Sequence, residues 1–278
     1  MDSRIPMRHN NLSEDACTND ENHRKMKYFW YTYHDLPAGV GFTYFDAKHL
    51  TALGLTTAGI ILCCLLYRNM SGKGQVRMQR AVALLTALGE LAKDIFLMCI
   101  GRMGMEYLPL HLCSLAIAVY LIHAFIPDSR LRSALGEISY CLLLPGSLSA
   151  LLFPNWTAYP MLTFMSLHSF LWHALLVLYP ILLLISGAIR PTLRHWWYPV
   201  IFLLIVTPPV YLFDVMTGYN YMFVLYPLSG TPLEALYDLM GAWWRVGYAL
   251  GVLAVILIML AGAEIVYFIR KRAAELPG

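Results

Sequence analysis

The sequence predicts an all-α protein, a polytopic membrane bundle of about seven transmembrane helices with its N-terminus outside and its C-terminus in the cytoplasm. Composition is the first reason: 59% of the 278 residues are hydrophobic and 13% are charged, where soluble domains carry about 25% charge. The second is that the apolar residues fall into seven runs, each near the roughly 20 residues that cross about 30 Å of hydrocarbon. The third is the placement of basic residues, which collect on alternate loops. A net charge of +3 is too small to imply nucleic acid, and the chain has neither a phosphate-binding glycine loop nor a dinucleotide fingerprint.

Residues 1–41 form a polar tail of mixed charge (Arg4, Arg8, Glu14, Asp20, Arg24, Lys25), expected to be disordered and without the apolar core of a signal peptide. Phe42, Tyr44 and Phe45 then bring the chain to the interface with aromatics. The membrane domain, residues 42–270, is expected to span at about 49–67, 79–101, 108–126, 133–153, 161–187, 196–216 and 245–269. A short cytoplasmic tail, residues 271–278, ends the chain. Arg68, Lys73, Arg77, Arg80, Arg130, Arg132, Arg190, Arg194, Arg270, Lys271 and Arg272 share one side if the spans number seven. The positive-inside rule makes that side cytoplasmic, and the membrane is expected to be a bacterial plasma membrane.

Residues 217–244 lie on the other side. There Thr231-Pro-Leu-Glu234 has the form of a capping box with proline at the first helical position. Leu233, Leu236, Tyr237 and Met240 recur at helical spacing, which predicts a short interfacial helix. Pro145, Pro180 and the pair Pro208-Pro209 interrupt spans four, five and six. Such prolines persist where neighbours or water satisfy the freed carbonyls.

Charges inside the membrane cost roughly 3 kcal/mol each at its centre, so those present must face inward. Glu90, Lys93 and Asp94 share one face of span two, and Glu90 can pair with Lys93 one turn on. The six cysteines, at 17, 63, 64, 99, 113 and 141, show no CxxC spacing. Neither a disulfide framework nor a metal site is therefore expected. Cys113 stands out because span three opens on it together with His111. Two residues apart on a helix, the thiol and the imidazole point away from each other, so a base for Cys113 must come from another helix. His168 in span five lies at a matching depth, and His173 deeper. Asp214, Asn220 and Tyr221 add an acid, an amide and a phenol at the same outer level, able to orient an imidazole or stabilise an oxyanion. Trp156, Tyr159, Tyr219 and Tyr221 also suit an interfacial aromatic belt.

Four elements in order resemble a known family: Leu108-Pro-Leu-His-Leu-Cys113, Ala150-Leu-Leu-Phe-Pro154, Phe164-Met-Ser-Leu-His168 and Gly218-Tyr-Asn-Tyr-Met222. They are similar to the transmembrane protein 164 family, whose bacterial branch is the YwaF-like group, and the likeness runs from about Phe42 to Phe268. Its animal members are acyltransferases that move a fatty acyl chain onto lysophospholipids with a cysteine and a histidine. By motif those residues fall on Cys113 and His168. His49, in Phe45-Asp-Ala-Lys-His-Leu50, matches a further recurring element.

The resemblance thus implies a membrane lipid acyltransferase or transacylase with Cys113 as nucleophile and His168 as base. Its partners would be an acyl-donor lipid and a lysophospholipid acceptor, without cofactor. Glu90, His49, His111, Asp214, Asn220 and Tyr221 would support the site or bind substrate. The rival reading is a transporter or small-molecule receptor using the same outer-half polar pocket. A haem protein would instead need two histidines facing each other, with His111 and His168 as candidates. The sequence sets no oligomeric state.

Overall fold

The computed structural model describes residues 28–275, and its regular elements are all helical. Helix α1 (Ala47–Arg68) starts where the Asp46 carboxylate accepts the amides of His49 and Thr43 at 2.8 and 3.0 Å. It buries His49 and Tyr67 and otherwise turns leucine and isoleucine outward, as a lipid-facing helix does. Helix α2 (Gly72–Cys99), capped by Ser71, has the reverse pattern. Gln79, Thr86, Glu90 and Lys93 are buried, while Leu84, Leu85, Leu88 and Leu91 are exposed. Its polar stripe looks into the bundle.

Helix α3 (Leu112–Phe125) has 14 residues, about 21 Å of rise. Arg80 and Arg132 donate to the carbonyls of Ala124 and His123 at its C-terminus, where the helix leaves acceptors open. The expected fourth span is three joined pieces: α4 (Arg130–Ile138), a π-helical turn (Ser139–Leu143) and α5 (Leu144–Leu152). Pro145 stands in the first turn of α5, and the chain widens just upstream, where the amide it lacks would have bonded.

Helix α6 (Phe164–Ile185) is capped by Thr163 and packs against α1, α2 and α5. Pro180 inside it frees the carbonyl of Leu176, and the buried hydroxyl of Tyr120 donates to that oxygen at 2.8 Å. Helix α7 (Trp197–Thr217) contains Pro208 and Pro209 and closes at Gly218, whose φ of 79° needs a residue without a Cβ. Helix α8 (Pro232–Met240) forms where the capping box predicts a short helix. Thr231 caps it, and Glu234 reaches back to the amide of Gly230 at 2.6 Å, one residue beyond the usual partner. Helix α9 (Trp244–Glu275) follows after a single tight turn.

Among the described residues, five helical stretches are long and apolar enough to cross a membrane: Ala47–Arg68, Arg130–Leu152, Phe164–Ile185, Leu193–Thr217 and Pro232–Ala273. The other two expected spans differ for physical reasons. Helix α2 is long but carries buried charges, and α3 is short because its chain enters through the non-helical stretch 108–111.

Residues 28–41, expected as part of a disordered tail, pack on the bundle instead. Trp30 stacks on Phe164, and the carbonyl of Phe29 accepts the amide of Phe164 at 2.8 Å. Asp35 is paired with Arg102 and bonded by the Thr32 hydroxyl, and these hold its carboxyl below the usual range, with the Thr32 bond the larger cause. Aromatic side chains outweigh the segment's polarity. The rest of that tail, residues 1–27, and the last three residues of the C-terminal tail lie outside the described residues.

Candidate functional site

Cys113 is the second residue of α3, and His111 is its N-cap, with extended backbone at φ −64° and ψ 149°. The first turn of any α-helix leaves amides without an internal acceptor. Asp46, Ser71, Ser129, Thr163 and Thr231 answer that need with a side-chain oxygen at α1, α2, α4, α6 and α8. Among the described α-helices that start from extended backbone, α3 alone has no such cap. The amides around Cys113 therefore keep their partial positive charge for another acceptor. The thiol is half-buried, the Ser147 hydroxyl of α5 stands beside it, and the Glu90 carboxylate is within electrostatic reach.

Glu90 belongs to the polar stripe of α2. Lys93 Nζ lies 2.7 Å from Glu90 Oε1 and 3.4 Å from Asp94 Oδ1, with both Glu90 and Lys93 buried. The ammonium also sits over the ring of Tyr107, 5.9 Å from its centroid. Above this stripe runs α6. His168 Nε2 is 3.0 Å from the carbonyl of Gly89, so that nitrogen carries the proton and Nδ1 is left as the basic one. Gly89 makes the approach possible: a Cβ there would stand 3.1 Å from Trp172 Cδ1 and 3.9 Å from His168 Nε2. Trp172 is held in turn, its indole N–H donating to the carbonyl of Thr86 at 2.9 Å.

His173, one turn deeper, stacks on Trp156 with centroids 5.0 Å apart and lies within electrostatic reach of His168 and His111. Its Nδ1 donates to the carbonyl of Ser169 at 2.8 Å, which leaves Nε2 basic. Helical periodicity fixes the face of such a residue but not the neighbours it meets. His173 thus comes into electrostatic range of the other two imidazoles; among the described residues no hydrogen bond joins Cys113 to any of the three. Ser147 gave no signal in the sequence, because a serine that back-bonds to the carbonyl of Leu143 reads as ordinary helix packing.

The remaining candidates form a second group above the mouth of α3. Asp214 is fully buried and takes the amide of Tyr221 on both oxygens, at 3.2 and 3.1 Å. Asn220 closes a turn, donating to the carbonyl of Tyr226 at 2.7 Å and accepting the amide of Leu225 at 3.0 Å. Tyr221 donates its hydroxyl to the carbonyl of Met105, and burial pushes its phenol up to about 12. The ring of His111 meets Tyr221 edge-on at 5.2 Å and lies 5.9 Å from Phe223, itself at a positive φ of 54°. His111, Asn220, Tyr221 and Phe223, with Glu106, Asn155, Tyr219, Tyr226 and Leu228, line an open cavity of about 320 Å³, and Asp214 lies buried behind them. Glu106 is a residue the sequence reading passed over, although a carboxylate just ahead of span three was its signal.

Trp156, Tyr159 and Tyr221 are 8%, 6% and 2% exposed, which makes them interior residues and not members of an interfacial belt. His49 is apart from both groups. Fully buried, it places Nε2 2.9 Å from the carbonyl of Leu151 and accepts the amide of Phe45 on Nδ1 at 2.9 Å. It ties α1 to the end of α5. Among the described residues no three His, Cys, Asp or Glu side chains are grouped to hold a metal ion.

Neither a curated protein nor a solved structure matches the chain. The model of the TMEM164 family matches residues 44–262, which takes in α1 to α8, most of α9 and every candidate residue above. An integral membrane protein is what both that family and the apolar helices describe. The chain belongs to the TMEM164 family.

Proposed function

We propose that the protein is a phospholipid acyltransferase or transacylase with Cys113 as its nucleophile. The observation that carries this reading is the uncapped N-terminus of α3 at a cysteine. Helix N-termini stabilise thiolates, and backbone amides at the same place stabilise the oxyanion of acyl transfer. His168 Nδ1 takes the thiol proton of Cys113, and the thiolate attacks the carbonyl carbon of a donor ester while the carbonyl electron pair moves onto oxygen against the free amides. Collapse of that adduct leaves a thioester and expels the lysolipid alkoxide, which takes the proton back from Nδ1 of the His168 imidazolium. The acceptor's hydroxyl then gives its proton to His168 Nδ1 and attacks the thioester, so that the thiolate leaves. Neutral His168, with Nε2–H engaged by Gly89, is in the tautomer this role requires. The Glu90–Lys93 pair holds the floor of the site without adding net charge.

The topology belongs to the same reading: seven spans, α2 and α3 included, N-terminus outside, C-terminus cytoplasmic, in a bacterial plasma membrane. The basic residues at the shared end of α2, α3 and α4 support it, through Arg80 and Arg132. Cys113 then opens in the outer half, where a lipid arrives sideways from the leaflet and little water competes for the thioester.

The cavity under residues 219–228 favours a second reading, a transporter or receptor that binds a small polar molecule there. Purified protein in proteoliposomes with a donor phospholipid and a labelled lysophospholipid separates the two. The acyltransferase converts the label to diacyl lipid, and His168→Ala slows this by about 10²–10⁴-fold. A binding protein leaves the lysolipid unchanged, which would overturn the reading.

A further inference from the structure

At the other end of α6 from His168, α1 and α6 leave a groove open to the outside of the bundle, where Ile61 and Leu65 are exposed. Ile60, Ile61, Cys64, Leu65, Ile181 and Ile185 line it, Arg68 stands at one end, and its volume is about 700 Å³. That volume lies within the range of about 300–1,000 Å³ typical of ligand sites. From His168 to Ile185 is 17 residues of α6, about 25 Å, so the groove is separate from the site at Cys113. Arg68 is exposed, at the C-terminal end of α1, and makes no hydrogen bond or ion pair among the described residues. Arg80 is engaged on the carbonyl of Ala124 and Arg190 over the ring of Tyr267, and Arg68 is the one cation in the lining of the groove. An apolar trough a lipid tail can occupy thus ends at a guanidinium with its donors free, at the last residue of a helix of membrane-crossing length.

We infer that the α1–α6 groove is a binding site for an anionic phospholipid, its acyl chain along Ile61, Leu65 and Ile181 and its phosphate on Arg68. Guanidinium suits a phosphate because its N–H groups bond two oxygens at once. The net charge of the lipid matters, since a zwitterionic headgroup brings its own cation to the same place. A basic residue near the surface favours anionic over neutral lipid by about fivefold. The site needs no covalent chemistry and does not depend on how Cys113 acts.

Native mass spectrometry of the delipidated full chain tests this, titrated with palmitoyl-oleoyl phosphatidylglycerol and with the matching phosphatidylcholine. The first phosphatidylglycerol should bind about fivefold more tightly than phosphatidylcholine. Arg68→Gln should erase that difference, while Arg190→Gln and Cys113→Ala keep it. Ile61→Trp, at a position 53% exposed where a larger ring does not disturb the core, should weaken both lipids by filling the groove. The inference is overturned if Arg68→Gln keeps the preference or if Arg190→Gln loses as much. Unchanged binding in Ile61→Trp, or its loss in Cys113→Ala, overturns it too.

Discussion

The imidazole of His168 hangs on the carbonyl of Gly89, 3.0 Å away, and this contact sets both the tautomer of the ring and the closeness of α6 to α2. Gly89→Ala tests it. Alanine in a helix interior is worth about 0.5–1 kcal/mol over glycine. The new Cβ, however, would stand 3.1 Å from an indole pinned to Thr86, and overpacking costs about 1–3 kcal/mol. The strain should win, lowering the thermal midpoint of the purified protein. A raised midpoint would mean that α6 yields freely there.

Glu90 is expected to be scaffold and Cys113 chemistry. Breaking a buried ion pair by removing one partner costs about 3–5 kcal/mol, so Glu90→Ala should reduce folded yield sharply. Asp94, 3.4 Å from the stranded ammonium, relieves part of the loss. The double variant Glu90→Ala/Lys93→Met should recover yield, because no uncompensated charge remains. Cys113→Ala should give near-normal yield. Size-exclusion profiles of the four proteins check this, and a poorly folded Cys113→Ala beside a well-folded Glu90→Ala would reverse the division.

Asp214 is expected to act through the loop it holds. Hydrogen bonds to a charged group contribute about 1.5–3 kcal/mol, and Asp214→Ala removes the acceptor of Tyr221. Amides 219–225 should exchange faster with deuterium while α6 stays protected. Uniform protection would mean that the aromatic contacts of His111 and Phe223 hold the loop by themselves.

The Asp46 carboxyl is held below the usual carboxylate range by the amides of Thr43 and His49. A depressed folded value means stability is fully present above the unfolded value near 3.9 and is lost as pH falls through the folded one. Acidification from pH 5 to pH 2 (about the range in which such a carboxylate titrates) should lower the thermal midpoint less in Asp46→Asn than in the parent. Equal slopes would show that this cap does not report on folding.

Some of this was legible in the sequence because the rules involved are local. The spacing of Glu90 and Lys93 announces a one-turn pair, and Thr231-Pro-Leu-Glu234 announces a helix start; both form. Apolar run length located the helices. What escaped depends on which surfaces meet. Nothing near Trp156 says that its ring stacks on His173, or that Phe29 and Trp30 dock on Phe164. Span four looks continuous until Pro145 and the π-helical turn are seen together. His111 and Cys113 read as two helix residues, but the helix begins between them, and this leaves the amides at Cys113 uncapped.

The central claim is that Cys113 carries the acyl group, and the transfer rate of Cys113→Ala measured beside the parent tests it most directly. Both proteins are reconstituted with donor phospholipid and labelled lysophospholipid, with folding matched by thermal midpoint. The parent should form labelled diacyl lipid while Cys113→Ala falls to the protein-free background, because among the described residues α3 holds no other thiol, and the nearby Ser114 and Ser147 hydroxyls are far weaker nucleophiles than a thiolate. Transfer retained in Cys113→Ala would contradict the covalent mechanism.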